Sequence, residues 1–155
     1  MNTYYGDFQT KVMNHYVRLL QTDSYLMTKV AGRVYPQHVS LIENPKFPSI
    51  SFTRQGLGGD PSFPEIDYPF LIIDVWSKVG PQELWSIYAS RDPKTNRPVG
   101  IRALVANKGF DLPEAVVELG REVWVSDDLY EAWSKTFHLS SKYILTIAAK
   151  RLVVT

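Results

Sequence analysis

The chain has no cysteine. That removes disulfides, thiolate nucleophiles and sulfur-ligated metal sites together, and it fits folding in a reducing compartment. Charge of one sign is lacking too: 17 Lys and Arg stand against 16 Asp and Glu, a formal charge of +1. A field able to grip phosphate backbones is therefore not expected. Long apolar runs are missing; the longest, Phe70 to Trp76, is broken by Asp74 and falls far short of a membrane span. Met1 to Lys11 mixes aromatics with an acid and lacks the basic-then-apolar order of a secretion signal, so a chain made and used in the cytoplasm is expected, with no membrane partner.

What is present suits one globular domain over residues 1–155. Apolar residues make up 45% and charged residues 21% of the chain, enough to enclose a core and ordinary for a folded protein. Between Asp7 and Gln21 the residues Phe8, Val12, Tyr16, Leu19 and Leu20 recur at helical spacing. A short helix capped by Asp23 or Ser24 is expected next, ending at Gly32. Arg33 to Tyr35 reads as extended, closed by Pro36.

In Ser49 to Arg54, serines and threonine alternate with Ile50 and Phe52, the period of a strand with one buried face. Ile66 to Lys78 is a second, β-rich strand, paired with the first as a hairpin. Between them Gln55, Gly56, Leu57, Gly58, Gly59, Asp60, Pro61, Ser62, Phe63 and Pro64 form a segment too rich in Gly and Pro for regular structure. A long exposed loop is expected there, and long loops in compact domains often carry function.

Pro81, Leu84, Trp85 and Tyr88 predict a helix broken at Arg91 to Pro98. A further helix is expected from Val99 to Lys108 with Gly109 as its C-terminal cap. Asp111 to Gly120 reads as a loop, Val123 to Val125 as a strand, Leu129 to Trp133 as a short turn capped by Ser126 or Asp127, and Lys135 to Ala149 as the last strand. The order of elements predicts an α+β fold, an antiparallel β-sheet with α-helices packed on one face.

Chemistry-bearing constellations are weak. His15, His38 and His138 lack the i, i+4 spacing of helical zinc sites. The glycine-rich loop lacks the Gly-Lys-Ser or Gly-Lys-Thr ending and leads into a loop instead of a helix, so a phosphate cradle is not expected. Asp127 and Asp128, adjacent on extended backbone, point apart. Neither a Gly-x-Ser-x-Gly elbow nor a Cys and His pair occurs. No catalytic residue, cofactor or metal is assigned. Four tryptophans and nine tyrosines are a rich supply, mostly for the core, with a surplus for partner surfaces.

Three pieces in fixed order carry a resemblance: Gly32-Arg33-Val34-Tyr35-Pro36, then Phe47-Pro48-Ser49-Ile50-Ser51-Phe52, then Val75-Trp76-Ser77. Together they resemble the tail completion, or tail terminator, proteins of long-tailed bacteriophages. The likeness is sharp over about a third of the chain, Leu26 to Trp76, and beyond it lies only in the order of elements. Arg91 to Pro98 and Phe110 to Gly120 depart from the pattern.

The resemblance implies a non-enzymatic virion protein of the tail's neck region, assembled in the host cytoplasm. It would form a ring, typically a homohexamer, that caps the tail tube protein and joins it to the head completion or connector protein, with DNA only as passing cargo in the lumen. The loop Gln55 to Pro64 and an exposed sheet edge are the candidate contacts. Two alternatives remain open: a head completion or stopper protein binding the portal or adaptor, and a small enzyme or ligand-binding domain with a pocket lined by tryptophans and His138.

Overall fold

In the computed structural model, which describes residues 3–55 and 66–150, two long strands of the C-terminal half form the backbone of one large sheet. They are β8 (Ala115–Glu131) and β9 (Thr136–Ala149), joined by a tight turn. Ahead of them come α1 (Thr3–Thr22), α2 (Ser24–Val30), β1 (Val34–Tyr35), a 3-10 turn at Val39–Leu41, β2 (Ser49–Gln55), β3 (Ile66–Asp67), β4 (Phe70–Ser77), α3 (Pro81–Tyr88), β5 (Ser90–Arg91), β6 (Pro98–Val99), α4 (Ile101–Val105) and β7 (Phe110–Asp111). The sheet runs β1-β2-β4-β9-β8-β7, with β3 beside β9 and the β5–β6 hairpin apart. Among the named strands pairing is antiparallel except where β1 lies parallel to β2, and an isolated bridge between Ala106 and Gly120 is also parallel. The fold is α+β, as the order of elements predicts.

Register explains which residues are buried. Ile50 faces Val75 and Phe52 faces Ile73, so that parity carries the apolar side of the β2–β4 hairpin. Leu139, Tyr143, Leu145 and Ile147 continue it on β9, and all are buried. Helices cover that face: Val12, Tyr16 and Leu20 of α1, Leu26 and Val30 of α2, Leu84, Ile87 and Tyr88 of α3, and Ile101 and Val105 of α4 join one core. Each fully buried aliphatic or Phe side chain contributes roughly 1.5–3 kcal/mol. α2 starts where Asp23 accepts a hydrogen bond from the Leu26 amide at 3.0 Å, and it ends with Ala31 in the left-handed conformation.

Several boundaries differ from those expected. The strand expected over Ile66 to Lys78 is two, because Pro69 has no amide for the ladder; its carbonyl instead accepts from the Leu145 amide at 3.0 Å. The helix expected from Val99 shrinks to Ile101–Val105, since Val99 pairs with Ser90 in the small hairpin. Gly109 is no helix cap: a Cβ there would lie 2.4 Å from the Val117 carbonyl oxygen, so glycine permits close passage of the chain over β8.

The expected loop Asp111 to Gly120 is mostly β7 and β8. No turn begins at Ser126 or Asp127; β8 continues to Glu131, with register shifts between Glu118 and Arg121, Glu122 and Trp124, and Ser126 and Leu129. These irregularities break the alternation that would have identified a long strand. α1 also begins earlier than Asp7, at Thr3.

Candidate functional site

The three motif pieces meet in space. Val34 and Tyr35 pair with Ile50 and Ser51, the Arg33 carbonyl accepts from the Ile50 amide at 2.9 Å, and the Arg33 guanidinium Nε donates to the Pro48 carbonyl at 2.8 Å. The cis peptide Phe47–Pro48 lies next to this clip. Trp76, the third piece, pairs with Ser49 across β2 and β4.

Of the candidate contact loop, Gln55 is the last residue of β2 and pairs with Phe70. Gly56, Leu57, Gly58, Gly59, Asp60, Pro61, Ser62, Phe63 and Pro64 lie outside the described residues. Among the described residues the sheet has two open sides. β1 covers only Ile50 and Ser51 of β2, so the stretch leading into the loop has no strand beside it. At the other side, β7 and the Ala106–Gly120 bridge cover only the start of β8, and from Arg121 to Glu131 its outer side is open. Val123 and Trp124 are exposed on that stretch.

The sheet face opposite the helices holds a second, polar cluster. His138 stacks on Trp76, with ring centroids 3.9 Å apart and planes 7° from parallel. Its Nε2 lies 3.0 Å from Asp74 Oδ1, and its Nδ1 3.6 Å from Glu131 Oε1. The 3.0 Å approach lacks the alignment of a hydrogen bond, so it counts as a close polar contact and no more. Trp76 Nε1 donates to Ser51 Oγ at 2.9 Å. Ser49 and Ser51, which alternation assigns to a wet face, are fully buried under this cluster. His138, Trp76 and Asp74 are all buried.

A third cluster joins the helices to the sheet. Tyr88 donates from its hydroxyl to Glu122, Tyr143 lies 2.6 Å from the Tyr88 hydroxyl, and Arg102 Nε donates to Glu122 Oε2 at 2.8 Å. Arg102 also lies over the Tyr88 and Trp85 rings, 5.1 and 5.8 Å from their centroids. Burial pushes the Tyr88 phenol up to about 12, with the Glu122 carboxylate adding to the effect. Tyr143 is pushed up further, first by burial and then by the neighbouring Tyr88 and Glu122.

Burial also tends to raise Glu122, but the hydrogen bonds from Arg102 and the two tyrosines outweigh it and hold the carboxyl below its ordinary value. The cluster is an internal strut. Beside it, a groove of about 320 Å³ between α3, α4 and the β5–β6 hairpin includes Arg102 and Arg91 in its lining.

Asp127 accepts a hydrogen bond from Trp85 Nε1 at 2.6 Å, tying α3 to β8. His15 stacks on Phe110 with centroids 3.5 Å apart, and His38 packs edge-on against Trp76 at 5.2 Å. His38 and His138 thus pack on the same Trp76 ring while His15 packs apart on Phe110, and among the described residues no group of three or more His, Asp or Glu side chains is placed to hold a metal ion. No described helix is long and apolar enough to cross a membrane. The sequence matches no family model and no curated protein.

Proposed function

We propose that this chain is a structural virion protein of a long-tailed bacteriophage, a tail terminator that closes into a ring on the tail tube and presents a surface to the head connector. The observation that carries the reading is the pair of unlike open sides of the sheet. A ring requires one patch to meet a different patch on the next copy, through a rotation that closes. The β2 side offers unpaired backbone continuing into the Gln55 to Pro64 loop. The β8 side is kinked by its register shifts, which makes it a poor template for backbone pairing but leaves Val123 and Trp124 as side-chain contacts. The two sides differ in chemistry and lie across the sheet from one another.

Four helices on one face favour this reading over a stopper protein, for which a small β-barrel with little helix is the expected form. The closed surroundings of His138 count against a pocket enzyme built on that residue. Near-neutral net charge suits association without a strong hold on DNA passing through the lumen.

The test is light scattering of the purified chain, alone and mixed with purified tail tubes, followed by negative-stain imaging. Rings, or a cap at one tube end, are expected. A chain that ignores tubes and binds portal or adaptor rings would replace this reading with the stopper, and binding to neither would refute both. Deleting Gly56 to Ser62 is expected to preserve the melting transition while abolishing the cap.

A further inference from the structure

The β5–β6 hairpin stands outside the large sheet and concentrates positive charge. Between Ser90 and Val99 it carries Arg91, Lys94 and Arg97, all exposed, against one acid, Asp92. None of these three cations forms an ion pair with a carboxylate among the described residues. Asp92 is committed to the turn, where its Oδ1 accepts the amides of Lys94 and Thr95 at 2.7 and 3.2 Å.

The hairpin is built to hold its shape. The Asp92 amide donates to the Arg97 carbonyl at 2.9 Å, the Asn96 amide to the Asp92 carbonyl at 2.8 Å, and Arg91 Nη1 to the Asn96 carbonyl at 2.8 Å. Pro93 and Pro98 restrict the backbone further, and Asn96 takes the left-handed conformation, φ 58, that asparagine tolerates. A surface ordered in advance gives up little freedom on binding, so its charges are available to a partner at low entropic cost.

Behind the hairpin, Arg91 and Arg102 line the groove of about 320 Å³, with Ala89, Val99 and Ala103 among its apolar walls and no acid among its lining residues. Arg102 spends Nε and Nη2 on Glu122, at 2.8 and 3.1 Å, which leaves its Nη1. Arg91 spends only Nη1, which leaves Nε and Nη2. The acids of the adjoining elements have partners of their own. Glu122 holds Arg102, Asp127 accepts from Trp85 Nε1, and Glu83, in the first turn of α3 and so away from the hairpin, accepts from Ser77 Oγ. Glu122 and Arg102 neutralise one another, so the unmatched charge at the groove is that of Arg91, with Lys94 and Arg97 further along the hairpin.

We infer that the β5–β6 hairpin and the groove behind it bind an acidic segment of a partner protein. One glutamate or aspartate side chain enters between Arg91 and Arg102, and the acids beside it meet Lys94 and Arg97. Guanidinium groups with spare N–H donors match the planar carboxylate, and the apolar walls suit the methylenes that carry it. A nucleic-acid backbone fits less well, because it is held by many cations spread over a surface, and this chain has a formal charge of only +1. The inference uses neither open side of the sheet and stands whether or not the chain forms a ring.

The experiment titrates the full chain, labelled with nitrogen-15, with a short synthetic peptide alternating glutamate and alanine, and with the same peptide carrying glutamine for glutamate. Saturable shifts of the Ser90, Arg91 and Val99 amides and of the Arg91 Nε resonance are expected with the glutamate peptide and not with the glutamine one. Added salt is expected to weaken the binding. Arg91→Ala is expected to weaken it about tenfold, the scale of a lost charged anchor. The double variant Lys94→Ala, Arg97→Ala, which leaves the Arg91 hydrogen bond to Asn96 intact, is expected to weaken it by a smaller factor with an unchanged melting curve.

Shifts with neither peptide, or equal shifts with both, overturn the inference. So does glutamate-peptide binding that keeps its full strength in both variants, since it would lie elsewhere on the chain. Duplex DNA bound more tightly than the peptide, and released by Arg91→Ala, would assign the hairpin to nucleic acid instead. Self-association abolished by Arg91→Ala would assign it to a second copy.

Discussion

Replacing Glu122 tests whether the strut between helices and sheet holds the fold together. Tyr143 points at Tyr88, Tyr88 donates to Glu122, and Arg102 closes the chain from outside. Glu122→Gln keeps an acceptor for Tyr88 but removes the charge. A charge-assisted hydrogen bond is worth roughly 1.5–3 kcal/mol against about 0.5–1.5 for a neutral one, so close to 1 kcal/mol is lost there. The Arg102 pair adds under about 1 kcal/mol, because the guanidinium is partly exposed and screened.

We therefore predict a loss of about 1–2 kcal/mol for Glu122→Gln, a fall in Tm of roughly 2–8 °C at this chain length. Glu122→Ala leaves the Tyr88 hydroxyl without its carboxylate and is expected to cost about 2–4 kcal/mol in all. Thermal and urea unfolding, followed by circular dichroism, measure both. The pH dependence gives a signature that packing alone would not. Glu122 is held below the ordinary carboxylate value of 4.5, so its contribution is complete above that pH and is lost as pH falls through the depressed value. The gap between wild type and Glu122→Gln must therefore narrow in acid. Equal melting temperatures at neutral pH, or a gap that does not narrow as pH is lowered below 4.5, would refute the strut.

Alkaline titration is expected to show Tyr88 and Tyr143 ionising only as the protein unfolds. Tyr88 ionises near 10 when unfolded and at about 12 when folded, so stability falls between those pH values, by about 1.4 kcal/mol per pH unit for that proton; tyrosinate absorbance rising ahead of the loss of circular dichroism in full would contradict this. Ala31→Gly should stabilise, because Ala31 sits at φ 50 as the C-cap of α2, where glycine is unstrained; a gain of up to about 1 kcal/mol is expected in urea unfolding. Gly100→Ala should cost more than about 2 kcal/mol, since at φ 100 its Cβ would lie 2.6 Å from the Ile87 carbonyl oxygen, and a melting curve unchanged from wild type would show that α3 and α4 can move apart.

Up to α3 the element types were legible because each carries a local signal. Ile50 and Phe52 alternate with serines, Asp23 caps α2, and Pro81 opens α3, each a signal readable within a few residues. The second half was not, because the signal is divided. β8 shifts register three times, so Val117 and Val125 face the core while Val123, of the same parity, is left exposed at a shift, and Glu122 turns inward to meet Tyr88 where a polar residue suggests solvent. Burial of Ser49 and Ser51 has the same origin: a serine reads as wet unless Trp76, twenty-five residues from Ser51, is known to lie over it.

Contact surfaces are harder still to read from sequence, for a physical reason. The Gln55 to Pro64 loop stood out because its composition is unusual over ten consecutive residues. The exposed apolar side chains Leu41, Val79, Tyr130 and Trp133 come from four separate connections or strand ends, and none of them is unusual where it stands. What distinguishes them is exposure, which depends on the sheet register that brings Trp76 beside His138 and Tyr130 beside Phe137. A tryptophan count could suggest a surplus but not its location: Trp76 is fully buried, Trp85 is spent on Asp127, and Trp124 and Trp133 face solvent at different places on the same hairpin. If both tryptophans bind partners, they bind different ones or different parts of one, and Trp124→Ala and Trp133→Ala should then impair separable steps of assembly.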